Sequence, residues 1–216
     1  KMILKEMNLD EKKFPAKGAA ARISAHKNEL RTPSQAHFAA MGDYADETYA
    51  EIYRIYQQRL KQNNAVDFDD LIMLTVELFQ HNPDVLDRYQ ERFRYILVDE
   101  YQDTNMAQYV LVKLLAQKYQ NLCVVGDDDQ SIYQWRGADI RNILSFEEDY
   151  PAASVIKLEE NYRSTQRILD AAYHVVRHNE GRKDKRLWTE KSGGALLASY
   201  SGFTEREEAW FIANQI

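Results

Sequence analysis

Two short apolar runs that both end in acids constrain this chain more than any other feature. Tyr95-Ile96-Leu97-Val98 leads into Asp99 and Glu100, and Leu122-Cys123-Val124-Val125 leads through Gly126 into Asp127, Asp128 and Asp129. A parallel strand covered on both faces reads as a continuous apolar run, and open α/β sheets bind ligands beyond the carboxyl ends of such strands. Between the runs, Tyr109, Val112, Leu115 and Ala116 recur at helical spacing within Gln108 to Tyr119. The unit is strand, helix, strand, with acids expected at one end of a sheet.

Those acids carry chemistry. A carboxylate at a strand end can hold Mg²⁺, which neutralises phosphate charge, while a neighbouring carboxylate acts on an attacking water. Asp99 suits the first role and Glu100 the second, although a strand followed by a polar turn would carry the same pair. The second loop adds Gln130, which can hydrogen-bond a γ-phosphate or its attacking water. Beside it, Tyr133, Trp135 and Arg136 offer ring faces and a cation suited to unpaired bases. Leu158-Glu159-Glu160-Asn161-Tyr162-Arg163-Ser164 repeats the pattern of a strand ending in a polar, aromatic and cationic cluster, where a phosphate-binding arginine is expected.

Three ordered segments make a resemblance specific. Val98 to Asn105 (VDEYQDTN), Gly126 to Ala138 (GDDDQSIYQWRGA) and Leu158 to Ser164 (LEENYRS) resemble motifs II, III and IV of superfamily 1 DNA helicases of the UvrD/Rep/PcrA group, and the Tyr-Gln-Trp-Arg-Gly form is most like its Gram-positive members. Asn64 to Leu71 (NAVDFDDL) resembles the segment preceding motif II. The resemblance implies an α/β fold: a RecA-like parallel-sheet core of the P-loop NTPase type, with an inserted all-helical accessory domain and the start of a second RecA-like core. It implies domains at 1–88 (accessory), 89–157 (end of the first core) and 158–216 (start of the second). It also implies an ATP- and Mg²⁺-dependent DNA helicase moving 3′ to 5′ on single strands and unwinding duplexes, with repair or plasmid-replication proteins as partners. Asp99 then holds the metal, Glu100 is the general base, Gln130 senses the γ-phosphate, Arg163 stabilises the transferring phosphoryl and Tyr162 stacks on adenine. Phe68, Tyr133, Trp135 and Arg136 become single-strand contacts.

None of the eight glycines forms a Gly-x-x-x-x-Gly-Lys-Ser/Thr loop, the phosphate cradle of such ATPases. The chain starts at Lys1 and stops inside an expected helix, so it reads as an internal piece lacking that loop and motifs V and VI, inactive alone and dependent on the remaining segments of the helicase. The single cysteine, Cys123, excludes an intrachain disulfide framework and suits a reducing cytosol. Its apolar strand makes it an expected core residue. The absence of any apolar run long enough for a membrane span, or of a signal-peptide pattern, fits a cytoplasmic protein.

The net charge of −6 is unevenly spread. Residues 1–35 carry eight Lys/Arg against four Asp/Glu, a net of +4, whereas residues 36–103 carry six against fourteen, a net of −8. The basic opening, with Lys12, Lys13, Lys17, Arg22, Lys27 and Arg31, is either a phosphate-facing surface or a solvated helix face.

Spacing predicts helices at 1–8, 16–29, 35–62, 67–80 and 83–91, then strand 94–99, helix 105–119, strand 121–126, helix 139–148, strand 153–158, helix 164–178, a charged linker 181–191, strand 195–200 and a helix from 204. Tyr49, Ile52, Tyr53, Tyr56 and Leu60 form an amphipathic stripe expected to be core rather than a stacking platform. Trp188 and Trp210 are expected to pack, and the basic run Arg182, Lys183, Lys185 and Arg186 to be a surface linker diluted by Glu180 and Asp184. His174 and His178 have metal-ligand spacing without a third ligand nearby. Asp127 is expected to cap its loop, with Asp128 and Asp129 solvated. Two rivals to the helicase remain: a metal-dependent nuclease using Asp99, Glu100 and Asp127, and a non-catalytic nucleic-acid docking module.

Overall fold

The computed structural model describes residues 1–179, 183 and 185–216, which form two compact units, Lys1–Ala152 and Ala153–Ile216. The first unit opens with six helices: α1 Met2–Glu6, α2 Ala16–Asn28, α3 Pro33–Ala39, α4 Tyr44–Gln62, α5 Phe68–His81 and α6 Pro83–Arg92. The single helix expected over 35–62 is two. Thr32 and Gln35 form a capping box ahead of Pro33, and after Ala39 the chain turns through Gly42 at φ +97° before Asp43 caps a new start by accepting from the Ala45 and Asp46 amides. Glycine supplies that positive φ without steric cost.

The helical core gathers Leu4, Phe14, Ala19, Ile23, Ala36, Ile52 and Tyr53, with Tyr49 and Tyr56 packed against it. Phe14 meets Tyr49 edge to face at 5.3 Å. The tyrosine stripe of α4 is therefore core.

After α6 come strand β1 (Ile96–Val98), helix α7 (Met106–Ala116) and strand β2 (Leu122–Val124), followed by two short helices, α8 (Arg141–Leu144) and α9 (Phe146–Asp149), where one helix was expected over 139–148. The two strands pair in parallel, Ile96 with Leu122 and Val98 with Val124. Their entry ends are tied together: the Asn121 carbonyl accepts from the Ile96 amide, and its side chain donates to the Arg94 carbonyl at 3.0 Å. Lys118 bridges Asp87 and Glu91 of α6, and its hydrogen bond is the main reason Glu91 is pushed down to about 2. Cys123, expected in the core, is exposed, because strand alternation puts it with Leu97, itself 78% exposed, on the sheet face opposite the half-buried Ile96, Val98, Leu122 and Val124.

The second unit holds helices α10 (Gln166–Val176) and α11 (Glu205–Gln215). The strands expected at 153–158 and 195–200 are not formed among the described residues. Apolar side chains there, Ile156, Leu158 and Leu196 among them, are exposed, and the only described pairing is a parallel bridge of Glu160 with Trp188. An apolar run becomes a strand only when a neighbour completes its ladder. Trp188 and Trp210 are exposed rather than packed. Part of the expected linker, Gly181, Arg182 and Asp184, lies outside the described residues, as does Glu180. Among the described residues no helix is long and apolar enough to cross a membrane.

One basic residue departs from the surface reading. Lys27 is 0% exposed, its ammonium 2.6 Å from Asp67 and 2.8 Å from Asp70, so it faces no phosphate. Burial would raise the Asp67 carboxyl, but the hydrogen bonds from Lys27, the Asp70 amide and the Tyr56 hydroxyl outweigh it and hold Asp67 below its ordinary value. A depressed carboxylate stabilises the fold above its unfolded pKa, and that contribution is lost as pH falls through the folded value. Lys27→Met strips the counter-charge from two carboxylates and should cost about 3–5 kcal/mol near neutral pH. Urea unfolding from neutral to acid conditions checks this: the gap between variant and wild type should narrow as pH drops below the ordinary carboxylate range.

Candidate nucleotide and nucleic-acid site

The carboxyl ends of β1 and β2 stand side by side, and the ladder continues past them: the Val125 amide donates to the Val98 carbonyl at 2.8 Å, and the Tyr101 amide donates to the Val125 carbonyl at 3.0 Å. Between those bonds the chain reverses through Asp99 and Glu100. Glu100 is left-handed, φ 50° and ψ 42°, a conformation uncommon outside glycine, asparagine and aspartate that often marks functional turns. The turn is held locally, with the Glu100 amide donating to Asp99 Oδ1 at 2.9 Å. Both acids are exposed.

Behind them lies a residue that sequence reasoning passed over. Gln102 is buried; its Nε2 donates to Glu100 Oε2 at 2.7 Å, while its Oε1 accepts from the Asp127 amide at 3.0 Å. Asp127 in turn accepts from the Asp129 amide at 3.0 Å and from the Gln130 side chain at 2.6 Å. Glu100, Gln102, Asp127 and Gln130 thus form one hydrogen-bonded chain across the ends of both strands. A Cβ on Gly126 would meet Gln102 Oε1 at 2.6 Å and Ile143 Cδ1 at 2.8 Å, so a side chain here would have to displace the Gln102 amide or the Ile143 methyl. A second clamp runs from Thr104, whose carbonyl accepts from the Asp139 amide at 2.9 Å and the Asn142 side chain at 3.0 Å. Nothing in local sequence pattern distinguishes a buried glutamine from a solvated one.

Asp127 caps its loop as expected, but Asp128 and Asp129 are half-buried rather than solvated. Among the described residues, Asp127, Asp128 and Asp129 are the one group of three possible metal ligands. Asp99 and Glu100 do not join Asp127 in such a group, and His174 and His178 join none. Asp99, an exposed carboxylate at a strand end, is a hard oxygen donor of the kind Mg²⁺ takes alongside phosphate oxygens.

The loop then turns outward. Tyr133 and Trp135 stand with ring centres 6.3 Å apart, and the Arg136 guanidinium lies 4.6 Å from the Trp135 ring centre and 4.9 Å from that of Tyr133. Trp135 is 75% exposed. Gly137, at φ +89°, closes this turn. Phe68, the first residue of α5, is 89% exposed directly after the Asp67 cap. In the second unit, Tyr162 is exposed and donates to Glu160 at 2.7 Å; the exposed Arg163 follows a turn in which Asn161 accepts from the Arg163 and Ser164 amides at 3.0 and 2.8 Å. The structure thus joins Glu100 to Gln130 and groups Tyr133, Trp135 and Arg136, whereas Phe68 stands on its own helix and Tyr162 and Arg163 belong to the other unit.

Residues 1–151 match the UvrD/REP helicase N-terminal domain, and residues 156–216 match the UvrD-like helicase C-terminal domain. Over its whole length the chain is 56% identical to proteins named ATP-dependent DNA helicase PcrA from Staphylococcus epidermidis, Bacillus subtilis and Staphylococcus aureus. It spans 30%, 29% and 30% of those relatives, respectively. With the N-terminal domain matched over most of its residues, the chain belongs to the UvrD/REP helicase family.

Proposed function

We propose that this chain supplies part of an ATP-dependent DNA helicase motor that couples ATP hydrolysis to 3′–5′ movement on single-stranded DNA and to duplex unwinding, in repair and plasmid replication. The observation that carries this reading is the hydrogen-bonded chain from Glu100 through Gln102 and Asp127 to Gln130, which runs within one loop into the exposed Tyr133, Trp135 and Arg136 platform. In this reading residues 1–88 are a helical accessory domain inserted in a RecA-like core, 89–157 end that core and 158–216 begin a second.

The chemistry follows from the side chains. When bound, Mg²⁺ neutralises charge on the β- and γ-phosphates, and Asp99 would hold it. Glu100, oriented by Gln102, takes the proton of the attacking water, and Gln130 hydrogen-bonds the γ-phosphate. Arg163 supplies a planar fork of donors for charge on the transferring phosphoryl, and Tyr162 offers a face to adenine. Phe68, Tyr133, Trp135 and Arg136 stack against and neutralise the single strand. A stacked base that shifts Trp135 shifts Gln130 five residues away, so DNA and nucleotide would report to each other through one loop.

Glu100→Gln keeps shape and removes the base. In the complete motor it should leave ATP binding near wild type and lower turnover by about 10²-fold or more. Steady-state turnover beside nucleotide affinity decides it, and turnover within twofold of wild type would remove Glu100 from that role.

Trp135→Ala should weaken single-strand binding by about 1–3 kcal/mol and blunt DNA stimulation of ATP hydrolysis while DNA-free hydrolysis persists. Oligonucleotide affinity and ATPase with and without DNA are the measurements. Unchanged stimulation and affinity would leave this loop without a role in coupling.

A further inference from the structure

Five polar groups make six contacts with the two carboxylates flanking one exposed phenylalanine. Asp67 and Asp70 bracket the first turn of α5. Asp67 Oδ1 accepts from the Asp70 amide at 2.9 Å, and its Oδ2 accepts from Lys27 at 2.6 Å and from the Tyr56 hydroxyl at 3.0 Å. Asp70 Oδ1 lies 2.8 Å from the Lys27 ammonium and accepts from Gln57 Nε2 at 2.9 Å, while its Oδ2 accepts from the Asp67 backbone amide at 3.3 Å. All four carboxylate oxygens are engaged, by groups from α2, α4 and α5 itself.

A cap needs much less. The reciprocal box formed by Asp67 and Asp70 already satisfies the helix start. Burying a lysine adds desolvation and the loss of its rotamer freedom, so as a stability device Lys27 is inefficient. What an ion pair of this kind provides is fixed geometry. Phe68 is the residue left outside the network, and a cavity of about 400 Å³ bordered by Ile3, Ile23, Tyr56 and Asp67 lies beside it, so packing does not hold its ring. Its position is set by its backbone.

We infer that Lys27 is a positioning residue for single-stranded nucleic acid: by gripping Asp67 and Asp70 it fixes the first turn of α5 and presents the Phe68 ring in its stacking orientation before the strand arrives. The inference rests on the reading of Phe68 as a single-strand contact. Pre-organisation of this kind lowers the ordering cost of binding, so its loss appears in DNA affinity and not in the rate once DNA is saturating.

The test is a mutant cycle in the complete motor with a fluorescent oligothymidylate, using Lys27→Met, Phe68→Ala, the double variant, and Asp67→Asn. Asn caps as well as Asp, so Asp67→Asn weakens the grip with the helix start intact and decides the matter if Lys27→Met does not fold. Lys27→Met should raise both the dissociation constant and the DNA concentration for half-maximal ATPase stimulation by about fivefold or more, the lower end of what a lost aromatic stack produces. The plateau rate should hold, and Asp67→Asn should move the same way by less. On the Phe68→Ala background neither change should add more than about twofold. Additive losses on that background would place Lys27 outside this pathway and overturn the inference. Folded Lys27 or Asp67 variants with wild-type affinity beside a weakened Phe68→Ala would overturn it too. A silent Phe68→Ala would instead remove the underlying reading, and the inference with it.

Discussion

The parallel pairing of Ile96–Val98 with Leu122–Val124 is the constraint on which the rest of the proposed site depends. Two parallel strands need a crossover between them, and α7 supplies it, so both strands point the same way and their carboxyl ends release two loops into the same space. Each loop begins with acids. Had the pairing been antiparallel, Glu100 and Asp127 would have emerged at opposite ends of the sheet, and no single side chain could have bonded both. Because they emerge together, buried Gln102 reaches one with its amide nitrogen and the other with its carbonyl oxygen.

That glutamine also accounts for two backbone oddities. Glycine at 126 leaves room for Gln102 Oε1, which a Cβ there would push aside. The left-handed Glu100 reverses the chain soon enough for Gln102 to turn back beneath it. A non-glycine residue in that region costs of order 1 kcal/mol or more and persists only where its surroundings over-determine it. Here the surroundings are the Val98, Val125 and Tyr101 backbone bonds and the Asp99 side chain. Strain, buried amide and glycine are three aspects of one packing solution.

How much of this was legible in the sequence depended on whether the signal was local. The helices α5 and α6 and the crossover α7 were readable from apolar period and caps, because the capping boxes of α5 and α7 and Pro83 of α6 are written within four residues of the helix start. The strand ends and their acids were readable because an apolar run followed by Asp-Glu or Gly-Asp is contiguous. Lys27 was not: a lysine among five other basic residues looks like surface, and only its approach to Asp67, 40 positions later, makes it interior. Gln102 was hidden for the same reason, its partner Asp127 lying 25 positions on. The expected strands at 153–158 and 195–200 failed differently. Their apolar runs are real, but a run states only that a residue favours an extended, covered environment, and the ladder that would make it a strand is a property of neighbours.

The two features that sequence could not reveal share a physical logic. Gln102 and Lys27 are both buried polar side chains, and each holds a turn that presents exposed groups to which a ligand role is proposed: Glu100 and Gln130 in one case, Phe68 in the other. Exposed groups at strand and helix ends lack the packing that fixes a core side chain, so their orientation has to come from elsewhere. Hydrogen bonds supply it, because they are directional where apolar contacts are not, and burying them removes the competition from water that weakens such bonds at a surface. In the proposed motor, contacts held ready in this way would limit the ordering cost of binding, and the buried polar residues one layer beneath the site, Gln102 and Lys27, are where that readiness would be built.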